Sequence, residues 1–242
     1  MTATQVGMRC PECARQRTPV RTLSSVGGEP SLTYVLIAAN LLAFLGVVAS
    51  GGSLFDGGGT LTADGALRGN SVADGDWWRL VTSGFIHAGV FHLFLNMFIL
   101  YILGGLLEPA IGRLRFGLIY LVALLSGSFG ALLLTAPERL TVGASGAVFG
   151  LMGAAFIVMR ARGVNPMESG IGALILLNLA ITFLVPGISI GAHLGGLVGG
   201  GLAAFVLFDL PGRARMPAGA ATALAAAVGV IAVAGSIAVV PG

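Results

Sequence analysis

Apolar residues fall along this chain in long blocks and not on one repeating face. Runs at about 32–49, 89–107, 116–134, 144–159, 170–186, 191–208 and 218–240 are almost free of charge. A helix that is hydrophobic all round is buried in a core or in lipid, and crossing a bilayer takes roughly 20 helical residues. The pattern predicts seven membrane spans. Short polar breaks, such as Glu108 to Arg115 and Asp209 to Pro217, part several of them. The gap after the first run is different. It extends from Gly51 to about Ala88, is rich in Gly and Asp, and holds Asp76-Trp77-Trp78-Arg79. A loop of that length without evident structure points to function, and the Trp pair reads as an interfacial anchor.

Composition agrees with the pattern. The 242 residues are 56% hydrophobic and only 10% charged, with a mean hydropathy of +0.95. Soluble domains carry about 25% charged residues. Every basic side chain is Arg, which with 39 Gly reads as coding bias and not as a nucleic-acid surface. Residues 1–30 are polar and dotted with Arg, lack the apolar stretch of a secretory signal, and read as a cytosolic tail. Within them Cys10-Pro11-Glu12-Cys13 forms a knuckle with no further Cys and no nearby His. A structural zinc site needs four ligands, so no metal is expected unless another chain shares it.

The arginines set the orientation. With the N-terminus inside, Arg9, Arg15, Arg17, Arg21, Arg113, Arg115, Arg160, Arg162, Arg213 and Arg215 lie on the cytosolic side. Arg68, Arg79 and Arg139 alone fall outside. Basic loops stay in the cytosol, which favours N-in and C-out. No internal repeat suggests an inverted-repeat transporter.

On that topology four polar residues share a depth. Ser145 opens the fourth span, His193 opens the sixth, and His92 and Asn96 lie in the outer half of the second. Intramembrane polar groups are costly and default to a functional hypothesis. His92 and Asn96 are spaced i, i+4 and share a helix face, as do His193, Gly196 and Gly200. Gly143, Gly146, Gly150 and Gly153 line the fourth span. Such stripes let membrane helices approach closely, so Ser145 can reach the His193 imidazole. Asn40 and Asn178, with nothing aligned to them, read as residues that make interhelical hydrogen bonds.

The chemistry follows by elimination. All ten carboxylates fall in the tail, loops or helix ends, which leaves no pair for an aspartyl protease. There is no His-Glu-x-x-His for zinc. Ala147 stands where a hydrolase nucleophile elbow needs its second glycine. What remains is Ser145 as nucleophile and His193 as base, with the amides of the fourth helix start, His92 and Asn96 as oxyanion donors. With no acid to orient it, His193 must hold its tautomer and rotamer through packing.

These residues carry a resemblance. Gly143-Ala144-Ser145-Gly146 resembles the nucleophile motif of the rhomboid family of intramembrane serine proteases. Ala192-His193-Leu194-Gly195-Gly196, continuing to Gly200, resembles its histidine motif. His87, His92 and Asn96 match its second-span pattern, Trp78-Arg79 its first-loop element, and Gly104-Gly105-Leu106-Leu107-Glu108 the inner end of its second span.

The resemblance implies an all-α polytopic membrane protein. A six-helix core at 31–210 would follow the tail at 1–30, with a seventh transmembrane helix appended at 211–242. It implies a Ser145–His193 dyad, an oxyanion hole of His92, Asn96 and the Ser145 amide, and no cofactor. Phe149 stands where some members stack a Tyr on the histidine. The fifth span and Val185-Pro186-Gly187-Ile188 would act as gate and cap. Substrates would be membrane proteins cut in or near a transmembrane segment, at the outer face of a bacterial plasma membrane. The alternative is a catalytically silent relative that binds transmembrane segments.

Overall fold

The computed structural model describes residues 2–4, 7–9 and 29–240. Cys10 and Cys13 lie outside them. A short antiparallel pair, β1 (Thr2–Thr4) and β2 (Gly7–Arg9), precedes an all-helical body.

Among the described residues, five helices are long and apolar enough to cross a membrane. They are α1 (Ser31–Ala49), α5 (Val90–Ile111), α6 (Arg113–Leu134), α9 (Ile190–Phe208) and α11 (Ala218–Val239). The other two predicted spans form shorter helices, α7 (Ser145–Ala161) and α8 (Ile171–Leu184). At 1.5 Å per residue α7 is about 25 Å long and α8 about 21 Å. Each is short because its apolar run is short: α7 covers nearly all of 144–159 and α8 nearly all of 170–186.

The long loop is also more ordered than its composition suggests. It holds three short helices, α2 (Gly59–Gly65), α3 (Gly69–Ala73) and α4 (Arg79–Thr82). Arg79 is the fastener. The residue is 7% exposed, and its guanidinium donates to the Asp76 carboxylate at 2.9 Å and to the Ala63 and Ala66 carbonyls at 2.7 and 3.0 Å. Trp77 and Trp78 stay exposed beside it, as interfacial anchors would.

Helix α1 has no side-chain cap of its own. Glu108, near the end of α5, supplies one from outside. Its carboxylate accepts from the Leu32 and Thr33 amides at 2.8 Å each and from Thr33 Oγ1 at 2.7 Å. An acid at a helix N-terminus meets unpaired N–H groups and the positive end of the dipole. Gly104, one turn earlier on α5, leaves room for Thr33.

The centre of the bundle is α9, packed between α6 and α7. Two glycine stripes make the packing close. A methyl group on Gly196 or Gly200 would overlap the α7 backbone at Gly146 or Gly150, and one on Gly191 or Gly195 would overlap α6 at Gly130 or Ser126. Helix α11 lays Ala221, Ala225, Gly229, Ala232 and Ser236 into the bundle, chiefly against α6.

Arginines gather at one end. Arg160, at the end of α7, and Arg213, in the short helix α10 (Leu210–Ala214), both pair with Asp209 at the end of α9. Arg162 donates to the Ala110 carbonyl at the end of α5. Helices α5, α7 and α9 begin at the opposite end, where Ser145, His193 and His92 lie.

Candidate active site

Ser145 is the first residue of α7 and is half-buried. The path into it is extended and held from the first loop. Leu67 and Thr141 exchange backbone hydrogen bonds of 3.0 and 2.9 Å, and the Gly143 amide donates to the Ser83 carbonyl at 2.9 Å. Gly143 has φ +117°, a conformation that L side chains rarely adopt. Its missing side chain also admits His92. A Cβ there would lie 2.7 Å from His92 Nε2 and 3.7 Å from Ser145 Oγ. The imidazole and the hydroxyl therefore flank one small volume above Gly143.

His87 lies beneath this turn and is fully buried. Its Nδ1–H donates to the Phe85 carbonyl at 3.2 Å, and its Nε2 accepts from the Ala144 amide at 3.4 Å. Both contacts require the neutral ring. Burial pushes its pKa down from 6.5 to about 3, and the neighbouring His92 adds to the shift. The two rings meet edge to face at 5.0 Å between centroids.

On α7, Phe149 follows Ser145 by four residues and so shares its face. Its ring stacks on the His193 imidazole, with centroids 4.1 Å apart and planes 18° from parallel. Gly146 and Gly196 bring the two helices into backbone contact at this level. Ser145, Phe149 and His193 thus form one cluster across the α7–α9 seam. His92 stands on its α5 side, over Gly143. Asn96 is buried and donates to the His92 carbonyl at 2.9 Å, and its second amide N–H has no partner among the described residues. The first α7 amides, at Ser145, Gly146 and Ala147, precede the first i→i−4 bond, from Val148 to Ala144, and have no acceptor within the helix. A cleft lined by Ser83, Gly127, Ser128, Thr141, Gly143 and Gly146 opens beside the serine.

One residue of this cluster escaped sequence reasoning. Thr182, near the end of α8, is 2% exposed and places its Oγ1 2.7 Å from His193 Nδ1. That is the one side-chain hydrogen bond of His193 among the described residues, and it goes to Thr182 and not to Ser145. A threonine in an apolar run looks like any helix-packing residue, so the sequence carries no signal for it. Asn178 donates to the Leu174 carbonyl of its own helix and not to a neighbouring one.

Comparison with known proteins decides the family. The Rhomboid domain model matches residues 74–210, more than half of the chain. The chain belongs to the rhomboid family. It is 37% identical to "Rhomboid protease GluP" of Bacillus subtilis (strain 168) over 74% of this chain and 35% of that protein. It is 40% identical to "RHOMBOID-like protein 6, mitochondrial" of Arabidopsis thaliana over 63% of this chain and 51% of that one. "RHOMBOID-like protein 5" of the same plant is 38% identical over the same shares. The chain therefore spans about a third to a half of the length of these relatives. The matched region runs from Asp74 to Leu210 and takes in every rhomboid motif residue named above, from Trp78 to Gly200.

Proposed function

We propose that this rhomboid is an intramembrane serine endopeptidase working through a Ser145–His193 dyad. The observation that carries the reading is the Phe149–His193 stack, one helical turn from Ser145, at a helix start rich in free amides. His193 Nε2 takes the hydroxyl proton as Ser145 Oγ attacks the scissile carbonyl. The resulting oxyanion lies against the Ser145 amide, His92 and the free N–H of Asn96. His193 then gives the proton to the leaving amine, and water hydrolyses the acyl-enzyme by the same route. Removing one such oxyanion donor costs about 10²–10³ in rate.

The substrates are membrane proteins, cut in or near a transmembrane segment. The site lies at the bundle end opposite the arginine cluster of Arg160, Arg162 and Arg213. Basic ends face the cytosol, so cleavage occurs near the outer face of a bacterial plasma membrane. The N-terminus is then inside and the C-terminus outside.

The test is cleavage of a single-span reporter by purified protein in lipid. Ser145→Ala and His193→Ala are each expected to abolish it, and a fluorophosphonate should label wild-type protein but not Ser145→Ala. Undiminished cleavage by either mutant removes the dyad. Absence of both labelling and cleavage in the wild type favours a silent binder of transmembrane segments.

A further inference from the structure

We infer that Thr182 is a positioning residue that fixes the tautomer of His193. Two contacts share its hydroxyl. Oγ1 lies 2.7 Å from the Asn178 carbonyl, one turn back on α8, and 2.7 Å from His193 Nδ1. The hydroxyl has a single proton. A carbonyl can only accept, so that proton points at Asn178 O. Were it turned to His193 instead, two lone pairs would face each other at 2.7 Å on the carbonyl side. With the proton on Asn178, Oγ1 can only accept from the ring, which places the imidazole proton on Nδ1. The chain is therefore Nδ1–H to Thr182 Oγ1–H to Asn178 O. Nε2 is left with its lone pair free.

This is the opposite of the free imidazole's preference for a proton on Nε2, and it is the form a general base needs. The Phe149 stack fixes the plane of the ring but not which nitrogen bears the proton. Thr182 supplies that second restraint, and a neutral hydroxyl here takes the place that a carboxylate fills in a Ser-His-Asp triad. The placement is costly to arrange by accident. Helix α8 buries only Ile171, Gly172 and Thr182, and Thr182 makes its one side-chain hydrogen bond to another helix among the described residues.

The inference rests on the dyad, but its test does not need turnover. The chain has three histidines, so ¹⁵N-histidine-labelled protein gives three assignable rings. The wild type is expected to show His193 in the Nδ1–H form, and Thr182→Val to shift it toward the Nε2–H form. In the reporter assay Thr182→Val should lose about 10–100-fold in kcat, the scale seen when a metal-ligating histidine loses the partner that fixes its tautomer. KM should stay near the wild-type value. Thr182→Ser, which restores the hydroxyl, should recover both the tautomer and most of the rate. Should Thr182→Val fail to fold, the wild-type and Thr182→Ser tautomers still decide. A wild-type His193 protonated on Nε2, an unchanged kcat in folded Thr182→Val, or a Thr182→Ser as slow as the valine variant would each overturn the assignment. If the Nδ1–H form is found while Ser145→Ala still cleaves, the dyad is wrong and the tautomer assignment stands.

Discussion

Phe149 and His87 act on opposite sides of the same turn, and each can be tested alone. An aromatic stack of the Phe149–His193 kind contributes about 0.5–1.5 kcal/mol beyond area burial. Phe149→Ala should therefore cut reporter cleavage by up to roughly tenfold, while Phe149→Tyr keeps the ring and should stay near wild type. His87 reports through stability. Its folded pKa of about 3 lies below the ordinary 6.5. Between those values the unfolded chain binds a proton that the folded protein refuses, so stability falls as pH drops through that window. The slope contributed by one such group approaches ~1.4 kcal/mol per pH unit. His87→Gln retains hydrogen-bonding groups but does not titrate. Thermal melts in detergent from pH 7.5 down to 4.5 should show a shallower decline for the variant than for the wild type. Parallel declines would mean that His87 does not contribute.

At the level of elements the glycines of α9 are the sharpest handle. Gly196 faces the Gly146 carbonyl so closely that any side chain must push α7 away, whereas the nearest atom to a Cβ on Gly201 is 3.8 Å off. Overpacking a tight contact costs about 1–3 kcal/mol, occasionally more. Gly196→Val should lower the melting temperature and abolish cleavage together. Gly201→Ala should leave both unchanged. The Gly196 and Gly200 stripe was legible in the sequence because small residues at helical spacing have one main use in lipid. The start of α7 was legible too, since a polar turn ran into Gly143-Ala144-Ser145. The facing stripe of Gly191 and Gly195 toward α6 was less so, because choosing its partner helix requires the packing. The three short helices of the first loop left no periodic trace. Two of them, α2 and α4, are tied together by Arg79 reaching back to the Ala63 and Ala66 carbonyls, and a side chain bonded to backbone has no signature in residue spacing. Thr182 was hidden for the reason that makes it useful: its hydroxyl is satisfied within its own helix, like that of any membrane threonine.

For the whole molecule the two ends of the bundle carry different chemistry. One holds Asp209 with Arg160 and Arg213, the other the serine, the histidines and the first-loop helices. With the arginine end cytosolic, an alkaline phosphatase fused after Gly242 should be active, and one fused after Arg215 should be silent. The reverse pattern would invert the assigned orientation and place the site on the cytosolic side. The Glu108 clasp on α1 makes a second molecule-wide prediction. Glu108→Ala leaves two amides and a hydroxyl without their acceptor, at about 1–3 kcal/mol for each buried group. The measured melting temperature should fall markedly, and limited proteolysis should cut first around α1.

The bridge between Leu67 and Thr141 also bears on when the candidate site is assembled. The segment entering Ser145 is shaped by residues made long before it, at Leu67, Ser83 and His87. His193 stands on one of the last core helices to be synthesised, α9, which packs between α6 and α7. A chain that stops before α9 carries Ser145 without His193. The two halves of the candidate site therefore meet only once α9 has taken its place between α6 and α7.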